Sequence, residues 1–376
     1  MLTFRYLNSI DEVSAGQWDA VLQSDYPFLR HAFLSALERS GATTRKSGWV
    51  PQHLLLEDEG RLIGHLPLFL KFHSYGEYVF DWSWADAYRR NGLDYYPKLL
   101  SAIPYTPATG PRLSVLPAMD SQALRSRLLS ELQARCAGQA SSLHILFPVA
   151  SELPGWQGAS QRVAAQFHWF NQGYADFEAF LAGFSSRKRK SLRRERRRVQ
   201  EQGITLRRIE GSDISEQQWS FFYHCYQMTY AKRSGHGGYL NEAFFRDLGL
   251  SMPEQLLMVV AEHDGQAVAA ALNFKDSRTL YGRYWGCIEE LECLHFEACY
   301  YQGIEYCIER GLQRFDPGAQ GEHKIQRGFE PIETCSRHWI VDERFRAAID
   351  HFLEEEALSV ARYIDDARRL LPFRQA

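Results

Sequence analysis

Sixteen residues, Asp316 to Pro331, bring Glu322, His323, Lys324 and Arg327 into one glycine-punctuated stretch. Gly318, Gly321 and Gly328 let the backbone bend closely around a ligand, because glycine has no Cβ to obstruct the approach. Glu322 or His323 could accept a proton, directly or through water, and Lys324 is a cation suited to a carbonyl oxygen or phosphate as negative charge develops. The stretch follows an expected strand ending at Asp316, and a loop after a strand end is a common place for a site in open α/β sheets. A solvated polar turn is the competing reading. So many able groups in one loop favour a site with Glu322, His323 and Lys324 as the catalytic candidates, and either of the first two as the base.

Two aromatic clusters offer binding chemistry. Tyr281, Arg283, Tyr284 and Trp285 lie in a strand-like run, where alternation would place Tyr281, Arg283 and Trp285 on one face. An arginine between rings can clamp a nucleotide or a sugar; the same residues also read as core with one paired charge. Phe80 to Tyr88 holds Asp81, Trp82, Trp84 and Asp86 at the expected end of another strand. These acids and indoles suit an amine or a sugar ring, or merely anchor a loop. Ser185 to Gln200 carries nine Arg and Lys against a single Glu, in a chain whose net charge is −3. It could meet RNA phosphates, anionic lipid or a nucleotide phosphate, or be a solvated face. Serine-hydrolase, P-loop and HExxH patterns are absent. The seven cysteines are odd in number and form no CxxC pair, which argues for a reducing compartment and against structural zinc. No metal site is expected.

The elements that must position these groups show an internal repeat. His53-Leu-Leu-Leu-Glu-Asp-Glu-Gly60-Arg-Leu-Ile-Gly64 and Met258-Val-Val-Ala-Glu-His-Asp-Gly265-Gln-Ala-Val-Ala269 lie 205 positions apart. Each reads as a β-hairpin with an acid-Gly turn. Each is expected to continue into an aromatic third strand, Tyr75 to Trp84 and Tyr281 to Trp285, and then a helix. The 376 residues, 45% of them hydrophobic, are ample for two cores, expected as domains at 1–160 and 161–376 with a linker at Pro148 to Ser160. Further helices are expected near Tyr95 to Ala102, at Ser121 to Ala137, as one long segment from Phe177 past Val199 whose 185–200 part is basic, and at Glu216 to Lys232. A last amphipathic helix starts at Phe345 and is expected to pack back on the first domain. Strands and helices in this order give an α/β or α+β layered fold. The start lacks a signal-peptide core, and no window reaches the ~20 apolar residues of a membrane helix, so a cytoplasmic protein without integral membrane association is expected.

Strand, two helices, three antiparallel strands, helix and strand is an order that resembles the GNAT acyltransferase superfamily, and it occurs twice. Tandem GNAT-like domains resemble the Fem-type aminoacyl transferases of peptidoglycan synthesis. The basic helix Ser186-Arg-Lys-Arg-Lys-Ser-Leu-Arg193-Arg194 and the segment Lys324-Ile-Gln-Arg-Gly328-Phe329-Glu-Pro331 are similar to segments of those enzymes. Gly318 to Pro331, together with Phe80 to Tyr88 and Tyr95-Tyr-Pro-Lys-Leu-Leu, is more similar still to the FemAB-like predicted N-acyltransferases. That likeness spans nearly the whole chain. It implies transfer of an acyl or aminoacyl group to an amine, with a small-molecule or peptidoglycan-precursor acceptor. No cofactor is expected to be tightly bound; acyl-CoA or aminoacyl-tRNA would be the co-substrate, with tRNA a candidate partner. Arg89, Arg90, Gln320, Gly321 and Arg327 are the candidate donor-binding positions. One departure is notable, because Gly286 to His295 carries Glu289, Glu290 and Glu292 where acyl-CoA enzymes of this superfamily place a glycine-rich pyrophosphate loop. A non-catalytic glycan-, peptide- or RNA-binding protein on the same scaffold is the alternative.

Overall fold

A computed structural model describes residues 1–235, 237–319 and 321–374, apart from the side chains of Arg233 and Ser234. The chain divides into two compact units, Met1–Ala165 with Glu333–Tyr363, and Gln166–Ile332 with Ile364–Ala376. The expected boundary after residue 160 falls inside the strand Ser160–Phe170, and Glu333–Tyr363 belongs with the first unit.

In the first unit the strands Leu2–Leu7, His53–Asp58, Arg61–Leu66 and Ser114–Val115 form an antiparallel sheet in that order. The hairpin turn has positive φ at Glu59 (50°) and Gly60 (80°), the turn whose twist matches the flanking strands. A second group of strands is Trp49–Pro51, Phe69–Lys71, Lys98–Ser101, Ser142–Leu146 and residues 336–340. Lys98–Ser101 and Ser142–Leu146 pair in parallel, and the rest are antiparallel. The helix Gln122–Gln139, capped by Ser121, buries Leu124, Leu128, Leu132 and Cys136 in one core with Leu54, Leu56, Leu99 and Leu143.

The second unit repeats the scheme. Ile204–Glu210, Leu256–His263, Gln266–Lys275 and Thr279–Cys287 form an antiparallel meander, and Arg314–Asp316 joins the last of these in parallel. Its hairpin also turns through positive φ, at Asp264 (50°) and Gly265 (75°). The likeness extends beyond the turns. Both hairpins shift register at the corresponding place, between Leu56 and Glu57 and between Ala261 and Glu262. In both, the glutamate after the shift pairs with an arginine of the neighbouring first strand, Arg5 to Glu57 and Arg207 to Glu262. A shared irregularity is a stronger sign of common origin than a shared turn, because a bulge has a specific local geometry.

Several elements differ from expectation. Residues 75–84 are not a third strand: the strand beside Arg61–Leu66 is Ser114–Val115, the short Phe69–Lys71 pairs with Trp49–Pro51 and Lys98–Ser101 instead, and Trp82–Arg90 is a helix. An aromatic run reads as strand by propensity, but its side chains here are divided between solvent and a small cluster with Phe345, Ile349 and Leu353. The helix expected near Tyr95 to Ala102 is instead the strand Lys98–Ser101, fully buried along its length, where tertiary pairing decides an ambiguous apolar run. The long helix from Phe177 breaks at Gly183 into Phe177–Ala182 and Ser186–Glu201. Pro148 to Ser160 is no free linker: Glu152, in the short helix Ala150–Trp156, is buried and accepts the backbone N–H groups of Arg112 and Leu113 at 2.9 and 3.3 Å. The helix Glu242–Ser251 had no counterpart in the sequence reading.

Candidate functional site

In the second unit the strand Arg314–Asp316 ends on a buried carboxylate. Asp316 is bound by the Arg283 guanidinium at 2.7 and 3.2 Å and by the backbone N–H of Gly318 at 2.9 Å, with the His168 ring 3.6 Å away. Burial alone would raise its pKa, but Arg283 outweighs burial and holds the carboxylate well below the usual range. Burial also lowers His168 to about 4, so that imidazole is neutral. Gly318 then turns through a φ of 91°, and its carbonyl accepts the Lys324 ammonium at 2.6 Å. Lys324 is buried, which lowers its pKa to about 8. Asp316, Gly318 and Lys324 thus pin the loop from its inner side.

The short helix Glu322–Arg327 turns its first two residues outward. Glu322 and His323 are exposed, and the His323 Nε2 lies 2.8 Å from the Tyr300 hydroxyl. Gly321 has a φ of 112°, and a Cβ there would collide with the His323 ring, so this glycine is required by close approach as well as by conformation. Arg327 donates to the His323 carbonyl at 2.7 Å and pairs with Glu195 at 2.9 Å, while its guanidinium lies 3.4 Å over the Phe296 ring. Tyr301 donates to the same Glu195. Tyr300 and Tyr301 close a π-helical turn, Glu297–Tyr301, a widening often found at functional sites. Expected site residues Glu322, His323, Lys324, Gly321 and Arg327 therefore share one loop, with Lys324 inside and His323 at the surface. Gln320 lies outside the described residues.

The expected common face of Tyr281, Arg283 and Trp285 does not form. The register against Gln266–Lys275 slips between Leu272 and Asn273, leaving Arg283 as the extra residue. The slip puts Tyr281 and Trp285 on opposite faces. Tyr281 is buried, donates to Asp276 and lies 5.4 Å under the Arg283 guanidinium, Trp285 packs toward His295, and Arg283 binds Asp316. The bulge re-aims this arginine.

The three acids Glu289, Glu290 and Glu292, expected in place of a pyrophosphate loop, are engaged. Glu290 pairs with Lys232 and Glu292 with Arg198, both at 2.8 Å, and Glu289 lies 3.7 Å from His263.

The first unit holds a polar cluster that the sequence reading found only in part. Lys98, fully buried, donates to Glu77 at 2.7 Å, to Ser74 at 2.9 Å and to Asp81. Burial would lower its pKa, but Glu77 and Asp81 outweigh this and raise it. Lys71, also buried and 3.8 Å from Glu77, is brought down to about 7 chiefly by burial, and burial raises Glu77 to about 7. Tyr95 donates to Asp81 at 2.7 Å. Nearby, the Nδ1 atoms of His144 and His338 lie 2.6 Å apart, within hydrogen-bond distance, with Ser142 and Ser336 each 2.7 Å from a ring Nε2. Burial lowers His144 to about 3 and His338 well below its ordinary value. Lysines and histidines on short buried runs such as Lys98-Leu-Leu-Ser gave no periodic signal; two lysines inside apolar strands were the available hint.

Asp81, expected at a strand end, is instead the residue before the helix Trp82–Arg90, and its carboxylate points into this cluster. Helical geometry separates the two indoles, Trp84 buried and Trp82 partly exposed. Asp86 pairs with both Arg89 and Arg90 on the same helix, so those arginines are committed to an acid.

The chain belongs to the FemAB-like family, described as peptidoglycan biosynthesis/recognition, whose model matches residues 9–375. No curated protein matches it. Among solved structures it is similar to FemX, at 12% identity and a TM-score of 0.55 over 90% of this chain and 98% of that one. It is also similar to a conserved protein of unknown function from Bacteroides thetaiotaomicron, at 10% identity and a TM-score of 0.51 over 89% and 99%. L-PGS from Bacillus licheniformis matches at 11% identity and a TM-score of 0.50 over 91% and 96%. The fold is thus mixed α/β of the FemX type. Among the described residues no helix is long and apolar enough to cross a membrane.

Proposed function

We propose that the chain is an N-acyltransferase that moves an acyl or aminoacyl group onto the amine of a peptidoglycan precursor. Family membership and the FemX-like fold support the class. The observation that carries the reading is the exposed His323 ring, hydrogen-bonded to Tyr300 on a loop held from within by Asp316, Arg283 and Lys324. An attacking ammonium has a pKa of about 10.4 and must first lose a proton. His323 takes that proton, Tyr300 orients the ring, and the amine lone pair attacks the donor carbonyl. The tetrahedral intermediate loses the second amine proton and collapses by expelling a thiolate, for an acyl-CoA donor, or the ribose oxygen of an aminoacyl-tRNA, which leaves as the hydroxyl by taking the proton back from His323. Lys324 acts as a positioning residue, because its ammonium is buried against the Gly318 carbonyl. Glu322, exposed beside His323, is the alternative base.

His323→Gln tests this. General-base loss costs typically 10²–10⁴-fold in rate, so kcat should fall by at least about 10²-fold with KM nearly unchanged. Glu322→Gln should do far less; the reverse ranking would transfer the role to Glu322, and full activity of both variants would remove the loop from the chemistry.

A second reading has its own support. Tyr75, Phe80 and Trp82 expose large rings in the first unit, which suits a recognition protein.

A further inference from the structure

We propose that His295 is a second proton acceptor beside the His323 loop, taking from the tetrahedral intermediate the amine proton that His323, already protonated, cannot take. The inference rests on the transferase reading and deepens it, because one imidazole covers only half of the proton traffic that an attacking ammonium creates.

The helical segment after the meander is irregular in a way that brings these rings together. It opens at Cys293, which holds a φ of 63°, a conformation that a non-glycine residue keeps only when its surroundings enforce it. The helical turn Leu294–Phe296 then widens into the π turn Glu297–Tyr301. His295 and Tyr300 are five residues apart, and at about 100° per residue an α-helix would point them about 140° away from each other. A π turn closes over five residues instead of four and so removes most of that divergence. Their rings meet edge to face at 5.3 Å, while Phe296, four residues before Tyr300, stays stacked with it at 6.2 Å. A regular α-turn would keep the second contact and lose the first.

The His323 ring completes the group. Its centroid lies 6.0 Å from that of His295 and 5.6 Å from that of Tyr300, and its Nε2 is the atom bonded to the Tyr300 hydroxyl. A hydrogen bond spans about 2.9 Å, so one amine nitrogen held between two imidazoles at this separation is within reach of both. Trp285 packs edge to face on His295 at 5.5 Å, so the strand Thr279–Cys287 supports the ring as well. The acids on the surrounding elements are matched by cations: Glu195 by Arg327, Glu292 by Arg198 and Glu297 by Arg196, with Glu289 beside His263. Tyr300, Glu322 and the thiols of Cys293 and Cys299 are also titratable groups of this corner. Imidazole, with an ordinary pKa of about 6.5, is the side chain suited both to take and to release a proton near neutral pH.

The proton balance calls for two acceptors. His323 takes the first proton of the ammonium, and the amine lone pair then forms the new C–N bond as the carbonyl π electrons move to oxygen. The nitrogen of that adduct is cationic and carries one proton too many for an amide. His295 takes it. The oxyanion then re-forms the carbonyl and the leaving group departs, a ribose oxygen carrying off the His323 proton and a thiolate leaving without one. His295 returns its proton to solvent, as His323 does when the donor is a thioester. With His323 alone the second proton must go to water, and reversal of the attack competes with collapse.

The test joins a titration of the protein alone with the transfer assay. In proton NMR at low ionic strength, His295→Gln should raise the titration midpoint of His323 by at least about 0.5 unit, because two unit charges 6.0 Å apart repel by that much even at the dielectric of water. His323→Gln should do the same for His295, and His295→Phe serves the first titration if the glutamine variant does not fold. Independent midpoints would overturn the pairing whatever the activity. The transfer assay runs from acetyl-CoA or alanyl-tRNA to a muramyl peptide amine. There His295→Phe, which keeps a ring against Trp285 and Tyr300 but holds no proton, should lose at least about tenfold in kcat with KM unchanged. The acid limb of its kcat profile should follow one proton rather than two. Full kcat in His295→Phe, in an assay where His323→Gln is inactive, would overturn the inference and leave the transferase reading standing. No product from the unaltered protein with either donor would overturn both.

Discussion

Asp316 and Arg283 show how a buried pair can fix a loop without touching a substrate. Arg283 is the extra residue of a bulge, and Asp316 ends the adjoining strand, so the pair links the sheet to the His323 loop. Removing one partner strands the other in a dry site, which costs about 3–5 kcal/mol. Asp316→Asn should therefore lower the unfolding free energy by that amount in denaturant titration, and Asp316→Asn with Arg283→Met should recover part of it. If the double variant is no more stable than the single, the pair is not the coupled unit described here. The sequence marked Arg283, Lys324 and Asp81 as polar residues in telling places. Their depth was not legible, because burial of a charge depends on partners from distant strands: Lys98 meets Glu77 and Asp81, and His144 meets His338 from nearly two hundred positions away.

The basic helix Ser186–Glu201 divides its charges by direction. Leu192 and Val199 are its buried residues, and at 100° per residue Arg187, Lys190, Arg194 and Arg197 point almost directly away from them. Cations on the flanks are engaged, Arg196 by Glu297 and Glu305, Arg193 by Glu178 and Arg198 by Glu292. Among the described residues the four outermost cations pair with no acid. If they meet a phosphate backbone, each contact contributes a salt slope of about 0.7 for a single strand and 0.9 for a duplex. Changing all four to Glu should flatten the salt dependence of RNA retention by about three units in filter binding, while the melting temperature holds. A weak, salt-insensitive response in the unaltered protein would remove tRNA as a donor carrier. At this scale the hairpins were legible because an acid-Gly turn between apolar runs is a local instruction. The strand Lys98–Ser101 and the helix Trp82–Arg90 were not, because short apolar or aromatic runs take whichever structure their neighbours offer.

Across the whole molecule, buried titratable groups make stability depend on pH in a direction that can be worked out. His65 and His144 are lowered to about 3, His168 to about 4, and His338 well below its ordinary value, all chiefly by burial. Their folded pKa values lie under the unfolded value of about 6.5, so the unfolded chain binds more protons as pH falls and the fold is destabilised. Glu77 and Glu152, raised to about 7 by burial, oppose this, because the folded state then holds protons that the unfolded chain has lost. The lowered histidines, His73 among them, outnumber the raised carboxyls, which include Glu330, so stability is lost as pH falls below about 6.5. Denaturant titrations at pH 6.5 and 5.5 check the sign, and equal or greater stability at pH 5.5 would show that the histidines are not held neutral. The transferase reading rests on chemistry at the His323 loop, and its most direct test is a search for the product. The protein would be incubated with a muramyl peptide bearing a free lysine or diaminopimelate amine and, in separate reactions, acetyl-CoA or alanyl-tRNA, with mass spectrometry of the acceptor. The account predicts one acyl or alanyl increment on the acceptor amine from one of these donors, largely lost in His323→Gln. No increment from either donor, in a preparation whose melting transition is intact, would contradict it.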